Sequence, residues 1–464
     1  MKKGQIVEGM VKKIAFPNKG MVEIPEEDKT VIVKDAIAGQ KVRVLIQKNR
    51  REQPEGRVLE VLEKAPGEIP SACPHFGSCG GCTYQNLSYD RQLQMKMEQV
   101  KDMMDRAVDG AYVWEGIRPS PAINGYRNKM EFTFGDECKD GPLALGMHKR
   151  GSFHDIVSVP NCRIVDADYR QILTCTLETA RESGLPYYHR IRHTGFFRHL
   201  LVRKAAKTGE ILVDLITTSG EDINHPIPAR PVEEFWKKWV NRLLSLSLDG
   251  KIAGILHTVN DNIADTVKDG GTQVIYGQDY FYEELLGLKF KITPFSFFQT
   301  NSLGAEVLYE KARDYMGDAR DKVVFDLYSG TGTIAQILSP AAKRVIGVEI
   351  VEEAVEAARE NAKCNGLENC AFWAGDVLNV IEELEEVPDL IMLDPPRDGV
   401  HPKALDRIIG FGVDRLVYIA CKPTSLARDL KILQERGYRV ERIGCVDLFP
   451  STYHVETICQ LVRT

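Results

Sequence analysis

The chain has 464 residues, 43% of them hydrophobic and 27% charged, and a net charge of −6. That length calls for two or three domains, and that mixture excludes a disordered chain. No apolar run is long enough to span a bilayer and the stretch from Met1 to Gln5 lacks the apolar core of a secretion signal, so a cytoplasmic protein without a membrane partner is expected, and a monomer.

In that compartment the 11 cysteines are expected to be metal ligands, catalytic thiols or small packed residues, not a disulfide framework. Basic residues gather at the front: Lys2, Lys3, Lys12, Lys13, Lys41, Arg43, Lys48, Arg50 and Arg51. Acids gather later, at Glu352, Glu353, Glu356 and from Glu382 to Glu386. This polarity suits a chain that meets polyanions with one part of itself, and equally suits an ordinary solvated surface.

Residues 1–62 read as five short alternating strands separated by Gly, Asn, Pro and Asp turns. The spacing predicts a small closed barrel of the oligonucleotide-binding type, although an SH3-like barrel has the same signature. A linker follows at 65–70, then a cysteine cluster at 73–82. Leu93, Met97, Val100 and Met104 recur at helical spacing, which predicts a helix from Tyr89 to Asp109. Residues 120–290 carry alternating strands at Lys129, Leu200, Glu210 and Gly254, with helices from Ala167 to Glu182 and from Pro231 to Leu244. They are read as an antiparallel sheet. From about residue 293 strands alternate with helices, which predicts a parallel sheet wrapped by helices. The boundaries expected are 1–64, 65–290 and 291–464.

In such a sheet, ligands sit outside the carboxyl ends of the strands. Five strand ends carry chemistry. Asp326-Leu-Tyr-Ser-Gly-Thr-Gly332 is a strand-to-helix turn whose glycines let a ligand approach the backbone. It is neither the GxGxxG fingerprint nor a phosphate-binding P-loop, and it resembles motif I of S-adenosylmethionine-dependent methyltransferases. The next strand ends at Glu349, placed to accept bonds from ribose hydroxyls, and the third near Asp376, within reach of an adenine. The fourth ends at Asp394-Pro-Pro-Arg397, where an aromatic residue in place of Arg397 is typical of enzymes acting on exocyclic amines.

Tyr418-Ile-Ala-Cys-Lys-Pro423 places Cys421 where a strand leaves the sheet. A lone cysteine is more often a small core residue. Here Lys422 and the following helix N-terminus are expected to lower the thiol pKa. A thiolate there suits uracil chemistry: addition to carbon 6 turns carbon 5 into a nucleophile toward a sulfonium methyl, and a base then removes the carbon-5 proton. His454 and Glu456 lie two apart near the C-terminus, on one face if the segment is a strand. Glu456 is the candidate base, with His454 orienting or assisting.

Phe297-Phe-Gln-Thr-Asn301, the Asp326 turn, Asp394-Pro-Pro-Arg397, the Cys421 segment and His454-Val-Glu456, in this order, resemble the RNA 5-methyluridine (uracil-C5) methyltransferase family over nearly the whole chain. The resemblance implies a class I Rossmann-like catalytic domain, with Cys421 as nucleophile and Glu456 as base. Gln299, Tyr328, Gly330, Glu349, Asp376 and Asp394 would line the S-adenosylmethionine site. Family members often carry Ser at the position of Ala420; the thiol itself is retained.

Cys73, Cys79 and Cys82 form a Cys-x₅-Cys-x₂-Cys run, and Cys162 is the best fourth ligand. Read alone, the spacing suits zinc or an iron–sulfur cluster; the resemblance favours a [4Fe-4S] cluster with a structural or RNA-positioning role. Cys138, Cys175, Cys364, Cys370, Cys445 and Cys459 are read as packing residues.

The front barrel resembles the TRAM domain of RNA-modifying enzymes. The expected partner is structured RNA, with 23S rRNA favoured over tRNA by analogy. The target base would be flipped, Phe297 or Phe298 filling the gap, with Arg127 and Lys129 along an RNA groove. Two other readings stand beside this one: an amino-directed nucleic-acid methyltransferase using Asp394-Pro-Pro without a covalent step, and an RNA-binding protein without chemistry.

Overall fold

The computed structural model describes residues 1–48, 54–152, 154–221, 227–264 and 270–464. Arg50 and Arg51 of the basic front lie outside the described residues.

Strands Ile6–Ala15, Lys19–Ile24, Lys29–Val33, Glu55–Glu63 and Lys41–Lys48, in that spatial order, close a five-stranded barrel. Every second side chain points inward, so Val22, Val31, Val42 and Val44 are fully buried. The basic front is less positive than its composition suggests. Lys12 pairs with Glu23 at 3.0 Å, Lys41 with Glu63 at 3.3 Å, Lys48 with Glu55 at 3.6 Å, and Arg43 with both Glu8 and Glu60. Lys13 pairs with Asp102 on the first long helix.

That helix runs Tyr89–Ala107. Its inward face is shifted from the one the apolar spacing predicts. Gln92, Lys96, Gln99, Val100 and Met104 are buried, whereas Leu93 and Met97 are half-buried. The buried polar positions have a physical reason, because Lys96 meets a buried carboxylate from the far end of the chain.

The central sheet has seven strands in the order Thr272–Gly277, Lys251–Val259, Glu210–Thr217, Phe197–Lys204, Lys129–Asp136, Leu143–His148 and Ile156–Ser158. It is not wholly antiparallel as read from the sequence: Glu210–Thr217 and Lys251–Val259 run parallel. The helix Ala229–Leu244 between them supplies the crossover that parallel neighbours need. Phe235 and Trp239 of that helix sit in the core with Phe197, and Trp239 Nε1 donates to Thr176 Oγ1 at 2.9 Å across to helix Ala167–Ser183.

The last sheet has eight strands: Cys370–Ala374, Ala342–Glu349, Ala319–Leu327, Leu390–Leu393, Arg415–Ala420, Glu456–Arg463, Tyr438–Val446 and Val113–Arg118. The first five are parallel. Glu456–Arg463 inserts antiparallel beside Arg415–Ala420, which brings the C-terminus next to the Cys421 strand. Val113–Arg118, from the segment just after the first long helix, completes the edge by pairing with Tyr438–Val446. Chain order reverses between Ala319–Leu327 and Leu390–Leu393, so a crevice opens above those two strand ends. No helix among the described residues is long and apolar enough to cross a membrane.

Candidate active site

A cavity of about 1750 Å³ opens at this crevice, and Gln299, Tyr328, Gly330, Glu349, Asp376, Asp394, Cys421 and Glu456 all line it. So do Arg127, Phe297, Arg397 and His454.

The Asp326 turn is shaped by left-handed backbone. Tyr328, Gly330 and Gly332 have φ of +68°, +55° and +70°. A Cβ on Gly332 would sit 2.5 Å from Phe372 Cε1 and 2.8 Å from Ala358, whereas one on Gly330 would meet nothing closer than Phe297 at 3.9 Å. The turn therefore packs tightly beneath and is open above. Glu349 steadies it: its Oε2 accepts from the Gly330 N–H and its Oε1 from the Val351 N–H, both at 3.0 Å. Asp376 caps the helix Val377–Glu383 through a 2.8 Å bond from the Leu378 N–H. Gln299 is held by its carbonyl, which accepts from Asn128 Nδ2 at 2.9 Å.

Two buried polar atoms of this turn have no partner among the described residues, Asp326 Oδ1 and Ser329 Oγ. Burial, then the charges of Asp394 and Glu349, push the Asp326 carboxyl well above the usual carboxylate range. Burial pushes Asp394 up to about 7. A crevice walled by carboxyls and open backbone fits a nucleoside carrying a cationic centre, which would restore the carboxylate form.

Cys421 directly follows strand Arg415–Ala420 and is half-buried. Its thiol is not activated as the sequence suggests. Burial pushes it up to about 11, the charges of Glu456 and Asp394 add to the rise, and Arg397 opposes them. Lys422 instead turns toward Asp398, 3.9 Å away. The cation that matters is thus Arg397, read from the sequence only as a departure from an aromatic residue. No local sequence signal marks it, because its role comes from the fold that places it near Cys421 and Glu456.

Glu456 is the first residue of its strand and is 3% exposed. Burial, then Asp394, push its carboxyl up to about 8, while Arg397 pulls it down. His454 lies outside the strand, so the same-face argument does not apply to it. Its ring packs against Tyr453, with centroids 4.3 Å apart, and burial followed by Arg397 holds it down to about 4. It is a neutral imidazole at neutral pH.

Of the other expected residues, both Phe297 and Phe298 line the cavity, Phe297 67% exposed and Phe298 largely buried against Phe290. Lys129 pairs with Glu131 at 3.0 Å and does not line the cavity.

The four thiols of the cysteine cluster lie close enough to act on one another. Burial pushes Cys82 up to about 12, with Cys162, Cys79 and Cys73 adding to the rise. Cys79 Sγ accepts from the Gly81 N–H at 3.3 Å and Cys82 Sγ from Gln85 Nε2 at 3.4 Å. Even so, among the described residues no group of three or more His, Cys, Asp or Glu side chains is arranged to hold a metal ion. Cys138 and Cys364 are exposed, not packed in the core as read from the sequence.

A doubly wound sheet with a glycine turn at its switch point and carboxyls on successive strand ends is the architecture of a class I methyltransferase. A family model of tRNA (uracil-5-)-methyltransferases matches residues 210–464. An uncharacterized RNA methyltransferase of Clostridium tetani is 48% identical over 100% of this chain and 99% of its own length. Another from Caldanaerobacter subterraneus is 44% identical over the whole of both chains. Among solved structures, the Pyrococcus abyssi tRNA (uracil-54, C5)-methyltransferase in complex with S-adenosyl-L-homocysteine superposes with a TM-score of 0.75 at 25% identity, covering 98% of this chain and 100% of that one. The chain belongs to the tRNA (uracil-5-)-methyltransferase family, and is an RNA methyltransferase of the uracil-5 type.

Proposed function

We propose that this protein methylates carbon 5 of uracil in structured RNA, with S-adenosylmethionine as donor and Cys421 as nucleophile. The observation that carries the reading is that Cys421, Glu456 and Asp394 line one cavity and feel one another's charge. The donor would be held by the Gly330 turn, Gln299 and Tyr328, with Glu349 on the ribose and Asp376 by the adenine. Ser329, whose buried Oγ has no partner among the described residues, lines the same cavity and supports such an occupant. When bound, it supplies an electrophilic methyl group.

The chain's own residues do the rest. Cys421 gives up its proton to solvent and its sulfur bonds to carbon 6, which moves the carbon 5–carbon 6 π pair onto carbon 5 and the adjoining carbonyl as an enolate. Arg397 favours the anionic form of this sulfur. Once carbon 5 carries the methyl, the Glu456 carboxylate takes the remaining carbon-5 proton. The double bond re-forms and the carbon–sulfur bond breaks. A carboxyl held near 8 is matched to a proton of this kind near neutral pH. The test is Cys421→Ala: it should abolish 5-methyluridine formation and leave S-adenosylhomocysteine binding intact.

The barrel, resembling a TRAM domain, is read as an RNA-binding module. The RNA is taken to be 23S rRNA, because a front barrel with a cysteine cluster resembles the ribosomal members of the family. The description of the family model and the Pyrococcus abyssi neighbour favour tRNA as the second reading. Mapping 5-methyluridine in both RNAs from a deletion strain separates them. Cys73, Cys79, Cys82 and Cys162 are read as ligands of a [4Fe-4S] cluster, with zinc as the alternative, since a set of four thiols is the donor set both take. Iron and sulfide analysis with the visible spectrum of anaerobically purified protein decides between them.

A further inference from the structure

The segment from Tyr187 to Thr194 interleaves aromatic and cationic side chains, and the chemistry above uses none of them. It is a small, pinned loop. The His189 N–H donates to the Thr194 carbonyl at 2.8 Å, and the His193 N–H to the His189 carbonyl at 2.7 Å. His189 Nδ1 accepts from both the Ile191 and the Arg192 N–H groups at 3.3 Å. At the base, Tyr188 OH lies 3.1 Å from His193 Nδ1, and the Arg198 guanidinium stacks on the Tyr188 ring at 4.1 Å. The tip that results presents Ile191, 69% exposed, and the exposed Arg192, with the half-buried Arg190 beside them.

Two contacts through His148 connect this tip to the lining of the cavity. Arg190 Nη2 lies 3.1 Å from His148 Nε2, the His148 carbonyl accepts from the Gly80 N–H at 2.9 Å, and Gly80 lines the cavity. A chain with a net charge of −6 repels a polyanion on average, so cations held near the mouth must carry its approach. Guanidinium groups match phosphate geometry, and a loop already fixed loses little entropy on binding.

We propose that the Arg190–Arg192 tip grips the RNA backbone beside the target uridine, both guanidinium groups on phosphates and Ile191 against a flanking nucleotide. This rests on RNA being the substrate, as read above. An acidic protein partner would suit the two arginines but gives no reason for their place at the cavity mouth.

The test uses the full chain and its Arg190→Gln/Arg192→Gln variant, with a fluorescein-labelled 23S rRNA transcript and bulk tRNA as probes. Each lost phosphate contact flattens the slope of log K against log salt by roughly 0.7 to 0.9, so the variant's slope should flatten by about 1.5 on whichever RNA binds. Its Kd should rise about tenfold or more at physiological salt. S-adenosylhomocysteine affinity and thermal midpoint should match wild type, which excludes a folding defect, and Arg192→Lys alone should keep most of the salt slope. An unchanged Kd and slope, or a wild type that binds neither RNA, overturns the proposal. Wild-type protein that binds RNA but transfers no methyl counts against the proposed reaction and not against the loop.

Discussion

Lys96 Nζ donates to Asp447 Oδ1 at 2.7 Å with both side chains sealed from solvent, across 351 positions of sequence. The same ammonium reaches the Phe449 carbonyl at 3.1 Å. Asp447 opens the segment that leads to His454 and Glu456. Other bonds pin that segment: Gln92 Oε1 accepts from the Ser451 N–H, the Ser451 carbonyl accepts from Thr83 and Tyr84, and Tyr126 OH donates to the Pro450 carbonyl. Thr83 and Tyr84 directly follow Cys82, so the cysteine cluster and the candidate base share one mechanical frame.

Lys96→Met should therefore leave a buried, unpaired carboxylate and cost about 3–5 kcal/mol in urea unfolding. Asp447→Asn added to it should recover part of that loss. If Lys96→Met unfolds like wild type, the pair does not hold this segment.

Glu456 titrates near 8 in the folded chain against 4.5 as its ordinary value. The folded protein thus binds this proton more tightly than the unfolded one, so its contribution to stability is complete below about 4.5 and is lost as pH rises through about 8. Glu456→Gln removes that dependence. Each pH unit of the window corresponds to about 1.4 kcal/mol, so the variant should exceed wild type at pH 9 by a few kcal/mol. Equal unfolding curves at pH 5 and pH 9 for wild type would contradict this.

Because the Cys421 thiol is pushed up to about 11, the free enzyme should react slowly with iodoacetamide at pH 7 and faster by orders of magnitude toward pH 10. Arg397→Met should push the thiol higher and lower kcat by roughly 100- to 1000-fold, the size of a lost electrostatic contact at a reacting centre. Peptide mapping of the alkylated cysteine and single-turnover rates read both effects.

Gly332→Ala places a Cβ 2.5 Å from Phe372 at a φ of +70°. Strain and overpacking together should cost about 2–4 kcal/mol. The turn should distort with it, weakening S-adenosylhomocysteine binding by calorimetry. Gly330→Ala has space beneath its Cβ and should lose ligand affinity with a smaller loss of stability.

Strand-end chemistry was legible because it is local: a hydrophobic run, a turn and a reactive side chain adjoin in sequence at Asp326, Asp394 and Cys421. The barrel was legible from its period-two pattern. What escaped is what depends on distant pairing. The burial of Lys96 shifts the apparent helix face and requires Asp447. The parallel pair in the central sheet requires the crossover of helix Ala229–Leu244. The thiol of Cys421 looked acidic beside Lys422, yet folding turns that lysine to Asp398 and surrounds the sulfur with carboxyls.

The most direct measurement is intact-mass analysis of Glu456→Gln after incubation with S-adenosylmethionine and target RNA. The expected result is a stable protein–RNA adduct carrying one added methyl, mapped to Cys421 and absent from Glu456→Gln/Cys421→Ala. Methylated RNA released at the wild-type rate with no adduct would contradict covalent attack by Cys421 and proton removal by Glu456.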